Sequence, residues 1–288
     1  MANTVSRFAR SWQLIQASCE VLRSDNALLI LPALSGLATT ALSVSFAALA
    51  MSDGITLSAM RETRSLNVLG PFYAWAFCWY VVQYFVVIFF NTALVGAAIA
   101  LLEGGRPTVG VALKLAFSRI GAILGYAVIS GTIGVLLQAL AERLGLLGRL
   151  IEATLGLAWT AATFLVVPIL AAEGIGPWQA IERSTALLRK TWGENLIGNV
   201  GISLVTSMVS GAVGLIGVGG SVLLFQLNPV LGAVLLLASI TTLLLIVLVA
   251  AALSAIYAAA VYHYAVVGTP PSSFNGDLIR DAFTRKGT

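Results

Sequence analysis

The stretch VLGAVLLLASITTLLLIVLVAAALSAIYAAAVYHYAVV, residues 230–267, contains no aspartate, glutamate, lysine or arginine. About 20 consecutive apolar residues are enough for a helix to cross the hydrocarbon core of a bilayer. Lipid offers the backbone no hydrogen-bond partners, so such a segment satisfies its own peptide groups by forming a helix. The stretch therefore predicts a transmembrane helix, long enough to tilt or to project from the membrane.

Outward from this stretch, five further apolar segments are long enough to span a bilayer. Together they give the predicted spans 27–51, 71–102, 120–141, 153–172, 195–225 and 230–267. Of the 288 residues, 59% are hydrophobic and 10% are charged, whereas soluble domains have about 45–50% apolar and about 25% charged residues. The sequence predicts an all-α integral membrane protein with about six transmembrane helices in a single domain, residues 1–267, and a cytoplasmic tail, residues 268–288.

The orientation prediction depends on the distribution of lysine and arginine, which favour cytoplasmic loops. Twelve of these residues fall on one side of the predicted spans and four on the other. The first side has Arg7, Arg10, Arg23, Arg106, Lys114, Arg119, Arg183, Arg189, Lys190, Arg280, Arg285 and Lys286; the other has Arg61, Arg64, Arg143 and Arg149. We expect the first side, with both termini, to be cytoplasmic.

Two span ends carry the same motif. Span two ends in Glu103-Gly104-Gly105-Arg106-Pro107 and span four in Glu173-Gly174-Ile175-Gly176-Pro177, with a weaker echo in Gly268-Thr269-Pro270-Pro271 after span six. An amphipathic segment and then two spans follow each of the first two motifs, and the N-terminus opens with a similar segment. The pattern predicts three repeated hairpins, each preceded by a cytoplasmic interfacial amphipathic helix.

The amphipathic segments have one apolar stripe at helical spacing. In the first segment the stripe is Phe8, Trp12, Ile15, Cys19 and Leu22, and before span five it is Trp178, Ile181, Thr185, Leu188 and Trp192. Such helices lie in the interface with basic groups near lipid phosphates. They are either elbows that seat the next span or surfaces for anionic lipid headgroups or a partner, with Arg7, Arg10, Arg183, Arg189 and Lys190 as the candidate contacts.

Polar residues inside the spans are few, and no charge lies near a span centre. The amides of Gln83, Asn91 and Asn199 either bond a neighbouring helix or line a solute pathway. The glycines around 217–220 either allow close helix packing or break span five and expose its carbonyls. Pro168 is expected to kink span four.

The sequence contains no recognisable catalytic group, and we expect no enzyme activity, metal or cofactor. Cys19 and Cys78 are expected at different depths as free thiols, and His263 is expected to be an interfacial residue beside two tyrosines. The net charge of +4 is explained by cytoplasmic loops, so no nucleic-acid partner is predicted. The expected partner is the lipid bilayer.

Arg10-Ser11-Trp12, the Glu-Gly-x-x-Pro junctions and Ser184 through Trp192-Gly193 resemble a family of bacterial six-span inner-membrane proteins classed as a domain of unknown function. The resemblance covers about Arg7 to Val267. A more distant similarity is to the membrane domain preceding some glycerophosphodiester phosphodiesterases. The resemblance implies a bacterial cytoplasmic membrane and no assigned activity or functional residues.

These observations favour a multi-pass membrane protein that acts as a non-enzymatic scaffold, assembly factor or lipid-associated module. The alternative is a small-solute transporter or channel with its pathway near the glycine-rich fifth span.

Overall fold

The computed structural model describes residues 27–52, 66–191 and 195–268. Every regular element in these ranges is helical, as predicted. The helices are α1 Ala27–Ser52, α2 Leu66–Leu102, α3 Val109–Ser118, α4 Ile120–Ala162, α5 Val166–Ala172, α6 Pro177–Thr191, α7 Asn195–Val213, a π-helical turn Gly214–Val218, α8 Gly219–Leu227 and α9 Pro229–Val267.

Six segments of these helices are long and apolar enough to cross a membrane, which confirms the predicted number of spans. They are Leu28–Leu49, Ala74–Leu102, Ile120–Gly145, Leu147–Ala172, Val205–Leu227 and Pro229–Val267. Spans three and four extend further towards each other than predicted. Their helix continues through Glu142, Arg143 and Arg149, because these side chains are exposed near the reversal and need no apolar neighbour.

The two described hairpin reversals use a similar close packing of glycine. Gly145 reverses the chain inside α4 with φ 59° and ψ −128°, and a Cβ on Gly148 would lie only 2.7 Å from the carbonyl oxygen of Ala141. Asn228 caps α9, since its Oδ1 accepts hydrogen bonds from the backbone N–H groups of Val230 and Leu231 at the start of that helix. A Cβ on Gly232 would lie 2.8 Å from the backbone nitrogen of Phe225. A side chain at either glycine would push the paired helices apart.

The glycine of each predicted junction has the left-handed backbone that commonly ends a helix. Its φ is 86° at Gly104, 64° at Gly174 and 79° at Gly268. These three positions follow spans two, four and six. The junction motif and its weaker echo therefore correspond to one shared backbone conformation.

The chain divides into two compact units. Within the described residues, the central unit comprises 33–52, 66–97 and 107–188, and the terminal unit comprises 27–32, 98–106, 189–191 and 195–268.

The core of the central unit joins α2, α3 and α5. Gly96 is packed so tightly that a Cβ there would overlap the Leu115 side chain, with Ala171 also in contact range. The rings of Phe89 and Phe117 meet edge to face, with centroids 4.9 Å apart.

The terminal unit contains the hairpin of spans five and six. A Cβ on Gly217, in the π-helical turn, would overlap the hydroxyl of Ser239 on α9. Apart from such contacts, side chains such as Leu215, Leu223 and Leu237 face outward.

Candidate functional site at the end of span four

Span four is interrupted before its end. Helix α4 stops at Ala162, and α5 begins at Val166. Thr163 and Leu165 have ψ near zero instead of helical values. Pro168 explains the interruption, since it lacks an N–H for the carbonyl of residue 164 and its ring crowds that carbonyl. The predicted kink at Pro168 is thus confirmed.

Ser184 of α6 fastens the interfacial helix to this interruption. Its side chain is fully buried. Its Oγ donates a hydrogen bond to the carbonyl of Ala162 at 2.7 Å and accepts one from the N–H of Leu165 at 3.2 Å. One hydroxyl therefore satisfies two backbone groups that the broken helix leaves without partners.

Helix α6 is amphipathic, as predicted, and it buries one stripe of its residues against the protein. The buried residues are Ala180, Ile181, Ser184, Leu187 and Leu188. Of the residues in the predicted apolar stripe, Ile181 and Leu188 are buried, Thr185 is partly buried and Trp178 is 61% exposed, while Trp192 lies outside the described residues. The hydroxyl of Ser184 replaces an apolar anchor in the stripe, which spacing rules for apolar residues do not detect.

The Glu173–Pro177 junction connects α5 to α6. The Nε of Arg183 donates to Oε1 of Glu173 at 3.3 Å, which forms an ion pair between the junction and α6. Glu103 and Arg106 of the first junction are exposed, and the ion pairs among the described residues do not include them. The two junctions thus have the same left-handed glycine conformation and differ in their side-chain contacts.

Arg119 is the second cation at this junction, and it immediately precedes α4. Its guanidinium lies against the backbone of Gly174, so closely that a Cβ there would overlap Nη1 and Cζ. Its Nε is buried and has no hydrogen-bond partner among the described residues. From the sequence, Arg119 was predicted only to add one positive charge to the cytoplasmic side. The Glu-Gly-x-x-Pro motif does not indicate that residue 119 contacts residue 174.

Two of the candidate headgroup contacts, Arg183 and Arg189, have side chains within the described part of the chain. Arg183 is half-exposed while it pairs with Glu173, and Arg189 is exposed. Arg7, Arg10 and the side chain of Lys190 lie outside the described residues.

The candidate pathway amides are not brought together by contacts in the described residues. Gln83 donates through Nε2 to the carbonyl of Thr39 at 3.1 Å and to the hydroxyl of Ser43. It therefore bonds α2 to α1. Asn91 is exposed, and the side chain of Asn199 lies outside the described residues.

The glycine-rich part of span five is a continuous helix and does not break the span. Gly214–Val218 forms a π-helical turn between α7 and α8, and the flanking residues keep helical backbone angles. π-Helical turns are rare in proteins, and those that occur often lie at functional sites.

The described residues contain no group of three or more histidines, cysteines or acidic residues that could hold a metal ion. His263 is partly buried, and its Nδ1 has no hydrogen-bond partner among the described residues. Cys78 is an exposed free thiol, and Cys19 lies outside the described part of the chain.

Residues 71–272 match the model of a protein family, DUF6159, described as a family of unknown function. The chain belongs to DUF6159. The match begins at residue 71, so it includes both junctions and excludes α1 and Arg10-Ser11-Trp12. The DUF6159 region thus holds the interrupted span four and its docked helix α6. No relative was found among the curated proteins with which the chain was compared.

Proposed function

We propose that this DUF6159 chain is a non-enzymatic, lipid-associated module of a bacterial cytoplasmic membrane, with both termini in the cytoplasm. The observation that supports it is the docking of α6, which buries one stripe of residues while Arg183 and Arg189 remain exposed. The twelve-to-four distribution of lysine and arginine supports the orientation. The distant similarity to the membrane domain preceding some glycerophosphodiester phosphodiesterases fits the same proposal as an analogy.

The physical basis is electrostatic attraction at low entropic cost. A lysine or arginine near an anionic leaflet contributes about 1 kcal/mol of binding free energy. Helix α6 is already ordered by Ser184 and its apolar neighbours, so lipid binding does not have to order it. Exposed Trp178 has the amphipathic ring that favours the headgroup region.

The test compares lipids bound to the full chain in nanodiscs of phosphatidylglycerol and phosphatidylcholine. The double variant Arg189→Gln/Lys190→Gln removes two charges, so we expect enrichment of phosphatidylglycerol around the protein to fall by about an order of magnitude. Arg143→Gln/Arg149→Gln is the matched control on the side predicted to be external. Equal enrichment in both variants and the parent would refute the proposal.

A small-solute transporter or channel is the second candidate, favoured by the π-helical turn of Gly214–Val218 within span five. Proteoliposomes exposed to a broad panel of solutes test it. Specific flux that stops when Gly217 is replaced by a bulky residue would support this function over the first.

A further inference from the structure

Arg119 is a partly buried cation, and one of its donors is buried without a partner among the described residues. Its guanidinium rests on Gly174, which has φ 64° and no side chain to displace it. Its Nε is shielded from solvent and lacks an acceptor among the described residues. A buried, unsatisfied donor costs about 1–3 kcal/mol, and more when it is charged. Nη1 and Nη2 are not among the buried, unpartnered atoms, so an anion from outside the chain reaches the guanidinium through them and offsets part of that cost by electrostatic attraction.

The nearby carboxylate does not serve this purpose. Glu173, next to Gly174, accepts from Arg183 at 3.3 Å, whereas Arg119 has no carboxylate partner within the described ranges. Arg183 uses its Nε in this pair, and 45% of its side chain is exposed. Arg119 and Arg183 therefore place two positive charges beside the single negative charge of Glu173.

The position of this charge indicates which anion it meets. Arg119 directly precedes candidate span three, and Glu173 directly follows candidate span four. Both therefore lie where a span leaves the hydrocarbon, which is the depth of phospholipid phosphates. A guanidinium matches the geometry of phosphate oxygens through paired N–H donors.

We propose that Arg119, seated on Gly174, binds the phosphate of an anionic phospholipid headgroup, with the exposed part of Arg183 beside it. This inference rests on the proposed lipid association. It assigns one headgroup phosphate to a specific site at Arg119, in addition to the general attraction of lipids to the surface of α6. Free inorganic phosphate has the same chemistry, and the test separates the two sources.

The first measurement counts phosphatidylglycerol retained by the full chain after detergent exchange, using native mass spectrometry. We expect the parent to retain one molecule and Arg119→Gln to bind it about tenfold more weakly, because a charge-assisted contact is lost. Arg106→Gln, at the equivalent junction, is expected to behave like the parent. Equal retention by Arg119→Gln and the parent overturns the inference.

The contact of the Arg119 guanidinium with Gly174 is tested by a matched pair of variants. Gly174→Ala and Gly104→Ala both place alanine at a left-handed position, with φ 64° and 86°. Only at Gly174 would the new Cβ overlap a guanidinium, while nothing lies within 4 Å of one at Gly104. We expect both to lose similar stability and Gly174→Ala alone to lose the retained lipid. Loss in both, or in neither, contradicts the role of the seat.

Inorganic phosphate added to the protein in lipid-free detergent provides the second arm. If phosphate raises the Tm of the parent but not of Arg119→Gln, while phosphatidylglycerol retention is equal in the two, the lipid assignment is overturned in favour of free phosphate. The broader proposal is judged separately. If Arg189→Gln/Lys190→Gln still lowers lipid enrichment while Arg119→Gln changes nothing, only the subsite is wrong.

Discussion

At the scale of single residues, the important polar groups are those that connect segments distant in sequence. Ser184 bridges both sides of the break in span four, and Gln83 bridges α2 to α1. The sequence predicted that amides such as Gln83 either bond a helix or line a pathway, and the contacts agree with the first reading. It did not predict the role of Ser184, because a serine in an amphipathic helix has no pattern that identifies its acceptor 22 residues away.

We predict that Ser184→Ala destabilises the protein by about 1–3 kcal/mol, because the buried N–H of Leu165 loses its acceptor. Thr185→Ala is the control, since that hydroxyl bonds only within its own helix, to the carbonyl of Glu182. The free energy of unfolding in mixed micelles measures the difference. Equal stability of the two variants would show that water replaces Ser184 at the break.

Gln83→Leu is expected to cost less than about 1 kcal/mol of stability, since hydrogen bonds between membrane helices contribute about 0.6 kcal/mol on average. The substitution also removes Oε1, which is buried without a partner among the described residues. Unfolding in mixed micelles again provides the measurement, with Gln138→Leu, at an exposed site, as the control. A loss above about 3 kcal/mol would indicate a larger polar network around this amide.

At the scale of elements, close backbone approach positions the helices. The sequence predicted that small residues in span five allow tight packing, and the contact of Gly217 with Ser239 agrees. Which of its glycines makes the contact could not be predicted. Gly211, Gly214 and Gly219 have nothing within 4 Å of an added Cβ, and the π-helical turn that sets this phase depends on packing against α9.

Gly217→Ala should therefore destabilise the hairpin by about 1–3 kcal/mol through overpacking. Gly219→Ala should be neutral or slightly stabilising, because alanine fits a helix better than glycine where space is free. Thermal unfolding in detergent reads out both. Adding Ser239→Gly to Gly217→Ala should restore most of the loss, and an absence of rescue would place the clash elsewhere.

At the scale of the whole molecule, hydrophobic length predicted the six spans, since that property is local in sequence. Span ends were less predictable. The sequence ended span three at residue 141 and began span four at 153, whereas the candidate spans reach Gly145 and start at Leu147. The charges in this segment predict a span boundary, although exposed helix ends accommodate them. The contact between Arg119 and Gly174 could not be predicted, because it joins the start of span three to the end of span four.

The orientation is tested with single cysteines introduced after Cys19 and Cys78 are replaced by serine. We predict that an impermeant maleimide labels Arg64→Cys and Arg149→Cys in intact cells, and labels Arg106→Cys and Arg189→Cys only after permeabilisation. The reason is the preference of lysine and arginine for the cytoplasmic side. Protection of Arg64→Cys in intact cells would reverse the assignment.

The tight reversals at Gly145 and Asn228 have a consequence for biogenesis. Neither leaves a linker between its two helices, so in the proposed orientation each pair has to enter the bilayer as one unit and carry its turn across. Glu142, Arg143, Arg149 and Glu152 flank the first reversal, and no charged residue flanks the second. A lysine, arginine or aspartate at mid-membrane costs about 2.5–3.5 kcal/mol during insertion. Of these two pairs, the third and fourth spans therefore insert against an electrostatic barrier, and the last pair inserts with almost none.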